Sequence, residues 1–494
     1  GAIPNDNILD PKTVKALFPS HCHLDHIGAI PFLAPRYDAP IISSPYTIDV
    51  IKRMMIEDGY HLKNHLKPVN LNSSFQINKD IKVELVGVTH STPQTAILAL
   101  HTPEGVVVYA NDFKFDNHPV VGKTTNTKRL KELGKKGVKA LIVESLYSDL
   151  DQKTPSEKVA REMLKEVLHG TENSDKAIFA TTFASHIARL QSILDFGHDL
   201  RRKVVFVGRS FDKYIVSAEK QKLVNFTKHA IVLKYRNEID TFFRKLNRLR
   251  DKYLVVCTGG QGEPNSVLSR VANGQFNFDF KPMDQVIFSN RIIPAELNIE
   301  NRRRIEEKLK ERRVRIFSNI HVSGHSSRED LRDLITILKP LNLIPTHAGF
   351  EKQKAFGELA EEEGYKVGEN VHLLENGKSV KIWKRKLYKQ PILLKFIQKN
   401  EEVLFWWIVM EKSNYIKTGT TTVGIVCKEG IVLGADKRAT AGFLIVDKKA
   451  EKIHKITESL AVTIAGTISD IQLLIRIARS ELNLKQMRKG EEIS

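Results

Sequence analysis

Near the amino-terminal end, Ser20-His21-Cys22-His23-Leu24-Asp25-His26 gathers three imidazoles and one carboxylate, the ligand-type residues falling within the six positions 21 to 26. Imidazole nitrogens and carboxylate oxygens are the donors that zinc and related divalent cations take, so the chemistry on offer is metal-assisted hydrolysis. A run reading VKALF precedes the motif and IGAIPFLAP follows it, which predicts a loop that leaves a strand and opens a helix. On the extended part, His21 and His23 point the same way, and Asp25 and His26, on the first helical turn, face a second point nearby. This is a layout for two metal ions, provided that further His and Asp side chains arrive from elsewhere. The competing reading is a histidine-rich surface turn.

The elements that must hold such a site can be read downstream. At 494 residues the chain should hold more than one domain. From Ala39, APIISS reads as a strand, PYTIDVIKRMMIEDG as a helix and KVELVGV as a strand ending at Thr89-His90. TAILALHTPEGVVVYANDF reads as two apolar strands joined by a Pro-Glu-Gly turn, a hairpin that ends at Asn111-Asp112. KALIVES delivers Glu144-Ser145, and Thr154-Pro155-Ser156-Glu157 predicts a capping box opening a helix closed by Gly170. From Lys176 to about Asn319, AIFATTF, KVVFVG, YLVVCTGG and DQVIFS alternate with helical stretches, the pattern of a separate α/β unit with a parallel sheet. These strands end in Ser185-His186, Gly208-Arg209-Ser210, Thr258-Gly259-Gly260-Gln261-Gly262 and Ser289-Asn290, whose amides and hydroxyls suit phosphates. The basic stretch Asn301-Arg302-Arg303-Arg304 reads as a solvated helix face rather than a nucleic-acid contact. Asn376-Gly377 is expected to turn a final hairpin, VHLLENGKSVKI.

Hydrophobic content of 41% and charged content of 27% describe an ordinary globular balance, so the net charge of +19 needs its own reason. A polyanionic partner such as nucleic acid supplies one, and lysines that merely keep the protein in solution supply another. Cys22, Cys257 and Cys427 are too far apart for a disulfide framework or a Cys-rich zinc finger, which fits a reducing cytoplasm. No signal peptide is expected from the opening residues, and the apolar run Val403 to Met410 falls short of the roughly 20 residues a membrane helix needs.

The histidine motif resembles the HxHxDH signature of the metallo-β-lactamase fold. The downstream segments TFASH, GRS, CTGGQGEP and HVSGH narrow the resemblance to the β-CASP nucleases, and most closely to the archaeal ribonuclease J family, over about the first 380 residues. The resemblance implies an α/β protein, a metallo-β-lactamase αββα sandwich (residues 1–160 and 320–384) interrupted by a parallel β-CASP domain (161–319). The family normally has an earlier β-hairpin layer and an Asp-containing turn before the His motif. Residues 1 to 18 match neither, so one sheet is expected to lack strands.

Residue by residue, the resemblance implies that His21, His23 and His90 hold one Zn²⁺ and that Asp25, His26 and His347 hold another, with Mn²⁺ as an alternative. Asp112 would bridge the two, matching the family's GDFKFD, although Asn111 stands where that motif has glycine. Asp25 would also orient the attacking hydroxide. Ser185, Ser210, Gly259, Gly260, His321 and Ser323 would contact RNA phosphates. His325, held by Glu144, would donate a proton to the leaving oxygen. After His347 the usual Gly-Glu is replaced by Ala348-Gly349, so the groups supporting that ligand are expected to differ. The implied activity is 5′ to 3′ exonucleolytic hydrolysis of RNA, with endonucleolytic cutting as a second mode, by a cytoplasmic homodimer. A thioester-type small-molecule hydrolase is the first alternative and predicts no phosphate-binding insertion. A non-catalytic RNA-binding relative is the second and would have lost ligands, whereas all seven positions are filled.

Past Trp383 the composition changes, and residues 385–409 read as a junction. Met410 to Ser494 resembles the short propeptide and mature start of an archaeal proteasome β subunit, a partial Ntn-hydrolase fold. There Thr420 would become the nucleophile once the bond after Gly419 is cut, with Lys452 tuning proton transfer and Asp436 holding Lys452. The roughly 75 residues from Thr420 are too few for the two-sheet sandwich. Partnership with proteasome α and β subunits would belong only to a complete version. Two neighbouring reading frames joined into one chain is the expectation, with a purposeful fusion of the two as the alternative.

Overall fold

The computed structural model describes Asp6, residues 9–383 and, beyond them, the backbone of short strands between 391 and 463. The chain forms two compact units, Gly1–Met410 and Glu411–Ser494.

The first unit is built on two six-stranded sheets. In one, the order is Leu343–Thr346, Val138–Glu144, Gly105–Ala110, Ala96–Thr102, Lys82–Gly87 and Ser73–Gln76. Thr102 pairs with Gly105 across the expected Pro103-Glu104 turn. Its central strands are apolar almost throughout because both faces are covered. Helices Thr127–Lys136, Arg328–Leu338 and Phe350–Glu362 bury Leu133, Leu334 and Phe356 against one face. Phe18 and Ile42 cover the other. Ile42 belongs to a two-stranded parallel sheet, Ile41–Ser43 with Leu66–Pro68, and alternation along that strand turns Ile41 the opposite way, toward helix Pro45–Glu57. The layers are those of the expected sandwich, with a second sheet of two strands.

The second sheet lies within residues 178–317, and its six strands are all parallel. Their order is Ile231–Leu233, Lys203–Val207, Tyr253–Cys257, Ile178–Thr181, Gln285–Phe288 and Arg315–Phe317. Successive residues enter opposite cores. Ile178, Val204 and Leu254 join one apolar cluster, whereas Phe179, Val205 and Val255 join another. The first of these clusters also contains Ile41, Tyr46, Ile48 and Val50, so the insertion and the sandwich share one continuous core. The two outermost strands, three residues each, were too short to leave a pattern in the sequence.

Three local expectations are corrected. The helix after Thr154 is Glu157–His169, capped by Ser156, whose hydroxyl accepts from the Lys158 amide. Thr154 lies outside it and donates instead to the His325 carbonyl at 2.8 Å. Among the described residues no hairpin spans Asn376-Gly377; Val380–Trp383 pairs antiparallel with Pro391–Leu394 instead. In the basic helix Glu296–Glu311, Arg303 and Arg304 are exposed and paired with Glu300, but Arg302 is buried over the Phe288 ring.

In the second unit the described backbone forms three antiparallel pairs, the longest being Thr422–Cys427 with Gly430–Ala435. Thr420, Asp436 and Lys452 lie outside the described residues, as does most of the junction. No helix among the described residues is long and apolar enough to cross a membrane.

Candidate metal centre

Strands Lys82–Gly87, Gly105–Ala110, Val138–Glu144 and Leu343–Thr346 run in one direction, so their carboxyl ends share one edge of the first sheet. His90 follows the first strand, Asp112 the second and His347 the fourth, while Glu144 closes the third. The histidine loop reaches the same edge, with His23 at the cap of the turn Leu24–Ile27 that carries Asp25 and His26. Residues more than 300 positions apart in the chain thus become neighbours through sheet direction alone.

The donor atoms of His21, His23, His90 and Asp112 lie within 4.8 Å of one another, as do those of Asp25, His26, Asp112 and His347. Asp112 belongs to both groups. Its Oδ2 is 3.3 Å from His21 Nε2, 3.3 Å from His26 Nε2 and 3.6 Å from His90 Nε2, and its Oδ1 is 3.5 Å from His347 Nε2. The inward nitrogens of His21 and His90 lie 3.0 and 3.1 Å from His23 Nδ1. On the outer side, Ser20 Oγ meets His21 Nδ1 at 2.9 Å and the Gly324 carbonyl meets His90 Nδ1 at 2.8 Å. Gly324 has to be glycine, since a Cβ there would come 2.9 Å from that nitrogen. His347 Nδ1 has no hydrogen-bond partner among the described residues, in keeping with the changed sequence that follows it.

Burial holds His21 down to about 4, with His26 adding to the effect, and burial beside other imidazoles holds His23 and His90 well below the ordinary range. Burial thus favours the neutral form of these rings, whose lone pairs a cation can take. Burial opposes ionisation of Asp112, but His347, His26, His325 and His21 outweigh it and hold the carboxyl well below the usual range. Against the same burial, Asp112 and Asp25 push His26 up to about 10. Neither buried oxygen of Asp112 accepts a hydrogen bond, and His26 Nε2 is likewise unpartnered. Such orphaned groups are costly unless something completes them, and the donor set fits a pair of divalent cations. Asp112 and His347 also hold φ of +49° and +58°, left-handed values that cost a non-glycine residue some backbone strain.

Beside this cradle, Glu144 Oε1 accepts from the amides of Phe113 and Ser326, and Oε2 meets His325 Nδ1 at 2.6 Å. Burial would depress His325, but the charges of Asp112 and Glu144 prevail and push it up to about 9. The expected phosphate contacts stand apart from the seven candidate ligands. His321 and Ser323 line a cavity of about 330 Å³ together with Tyr147, Arg291 and Asn319. Ser185 is buried, and Ser210 is exposed in the first turn of helix Arg209–Lys220. Gly259 and Gly260 are buried, and packing accounts for Gly260, where a Cβ would meet Asn290 Oδ1 at 2.3 Å. Sequence reasoning missed Arg189, which is fully buried and donates to Glu157, to the Ser289 carbonyl and hydroxyl, and to the Ile320 carbonyl just before His321. Its partners lie 32 to 131 positions away, and no local pattern announces them.

The fold and its paired donor sets define a metal-dependent hydrolase of the metallo-β-lactamase superfamily, whose family description matches residues 4–142. Residues 175–307 match "Ribonuclease J, beta-CASP domain", 310–373 match "Zn-dependent metallo-hydrolase RNA specificity domain", and 416–494 match "Proteasome subunit". The chain is 43% identical over 384 residues to Ribonuclease J of Pyrococcus abyssi, covering 77% of this chain and 85% of the relative. It is 42% identical over 381 residues to Ribonuclease J of Methanocaldococcus jannaschii, covering 76% and 85%. Among solved structures, a protein of unknown function from Enterococcus faecalis shares the fold, with a TM-score of 0.51 at 17% identity over 80% of this chain and 83% of that one. The chain belongs to the ribonuclease J family.

Proposed function

We propose that the chain hydrolyses RNA from its 5′ end, with two zinc ions as its resident metals. The donor chemistry supports this reading: His21, His23 and His90 would hold one ion, Asp25, His26 and His347 the other, and Asp112 would serve both. Bound there, the ions would supply activation of water and neutralisation of phosphodiester charge. Asp25, half-exposed at the rim, would orient the attacking water. His325, kept protonated at neutral pH by Asp112 and Glu144, would deliver a proton from its remaining ring nitrogen to the departing oxygen. His321 and Ser323, in the adjoining cavity, would hold a terminal phosphate, while Ser185, Ser210 and the 259–260 loop would guide the strand.

The single observation that carries the reading is Asp112, a buried carboxylate with both oxygens unpartnered and four imidazoles within 3.6 Å. The same reading divides the chain into 1–160 and 320–384 for the metal domain, 161–319 for the insertion, 385–409 as a junction and 410–494 as the proteasome-like segment. It also extends to a homodimer through the nuclease part, to be measured by light scattering. The deciding experiment pairs metal analysis with degradation of RNA bearing a 5′-monophosphate or a 5′-triphosphate. Two zinc ions and faster loss of the monophosphorylated RNA are expected, and His347→Ala should abolish cleavage. Full activity in that variant would overturn the assignment.

A further inference from the structure

Each inward-facing imidazole needs its other nitrogen fixed, because the outer hydrogen bond decides which tautomer the ring adopts and whether a lone pair faces the cation. His21 has Ser20 and His90 has the Gly324 carbonyl for this. For His26 the partner is Asn111, whose carboxamide nitrogen lies 3.3 Å from His26 Nδ1. Asn111 is fully buried, and its Oδ1 has no hydrogen-bond partner among the described residues. The nitrogen and oxygen of a carboxamide exchange places by a half-turn. In one orientation Nδ2 donates to His26 Nδ1, so the ring proton sits on Nε2 and faces Asp25 and Asp112, each at 3.3 Å. In the other, Nδ1–H donates to Oδ1 and the Nε2 lone pair faces the two carboxylates, where a cation would take it.

We propose that Asn111 is a positioning residue for the second metal ion: its carboxamide oxygen accepts the Nδ1–H of His26 and so holds the tautomer whose Nε2 can ligate. This rests on the two-ion reading above. The side chain also does what glycine, the residue of the resembling motif, cannot do. It stands next to Asp112, on the side of the cradle where His347 lacks an outer partner, so the ion held by Asp25, His26 and His347 depends on Asn111 more than the other ion does.

The test is Zn²⁺ binding to the full chain, stripped of metal and titrated against a chromophoric chelator, for the unaltered protein, Asn111→Ala and Asn111→Asp. The unaltered protein should bind two ions, and a single ion would sink the two-ion reading itself. Given two, Asn111→Ala should weaken one ion about 10- to 100-fold and leave the other unchanged. Asn111→Asp, which keeps an acceptor of the same shape, should hold both at least as tightly as the unaltered protein. Two ions bound as tightly in Asn111→Ala as before, or an equal loss of both, would overturn the proposal. Should the alanine variant fail to fold by circular dichroism, Asn111→Asp decides alone, since weakening of either ion there contradicts the role of the oxygen.

Discussion

Two buried polar clusters in this molecule use similar residues and reach opposite states. Around Arg189, the guanidinium and the Glu157 carboxylate meet at 2.6 and 3.0 Å, and the remaining donors reach Ser289 and the Ile320 carbonyl. Opposite charges cancel within protein. Around Asp112, imidazoles crowd one another, neither carboxylate oxygen accepts a hydrogen bond and the backbone takes left-handed turns at Asp112 and His347. A cluster that satisfies itself holds elements together, while one that leaves its donors turned inward waits for something from outside the chain.

The sharpest way to break this contrast is Asp112→Asn. Losing the shared carboxylate should release both ions and cut RNA hydrolysis by more than about 10⁴-fold, read by metal content and turnover. His325→Gln tests the boundary of the cradle: kcat should fall about 10²- to 10⁴-fold while both ions remain bound. Arg189→Met addresses the other cluster. It strands Glu157 in the interior and should cost about 3–5 kcal/mol in denaturant unfolding, whereas Arg189→Met with Glu157→Leu should recover most of that loss. The smallest effect concerns pH. His325 acts as an acid only while protonated, so the rate should decline as pH rises through about 9. Glu144→Gln removes one of the charges that raises it, and the declining limb of the pH–rate profile should move to lower pH.

How much of this was legible beforehand follows from sequence distance. The loop from His21 to His26 could be read locally, since extended and helical geometry alone divide its ligands into two sets. The parallel strands of the insertion were equally plain in their apolar runs. Asp112 and His347 needed a resemblance to be assigned, because one carboxylate or imidazole after a strand has many explanations. Arg189 and Thr154 left no trace, as their partners come from other parts of the chain. Thr154 even carried a misleading signal, a capping pattern that Ser156 took over two residues later.

The strand Ile41–Ser43 turns one isoleucine toward the large sheet and its neighbour toward the apolar mass that also holds Ile178, Val204 and Leu254. Excising the insertion would therefore not yield a smaller, working hydrolase, but would leave an oily flank of helix Pro45–Glu57 open to water. A calorimeter should therefore record a single cooperative melt for the sandwich and the insertion together, with no earlier transition for either part alone.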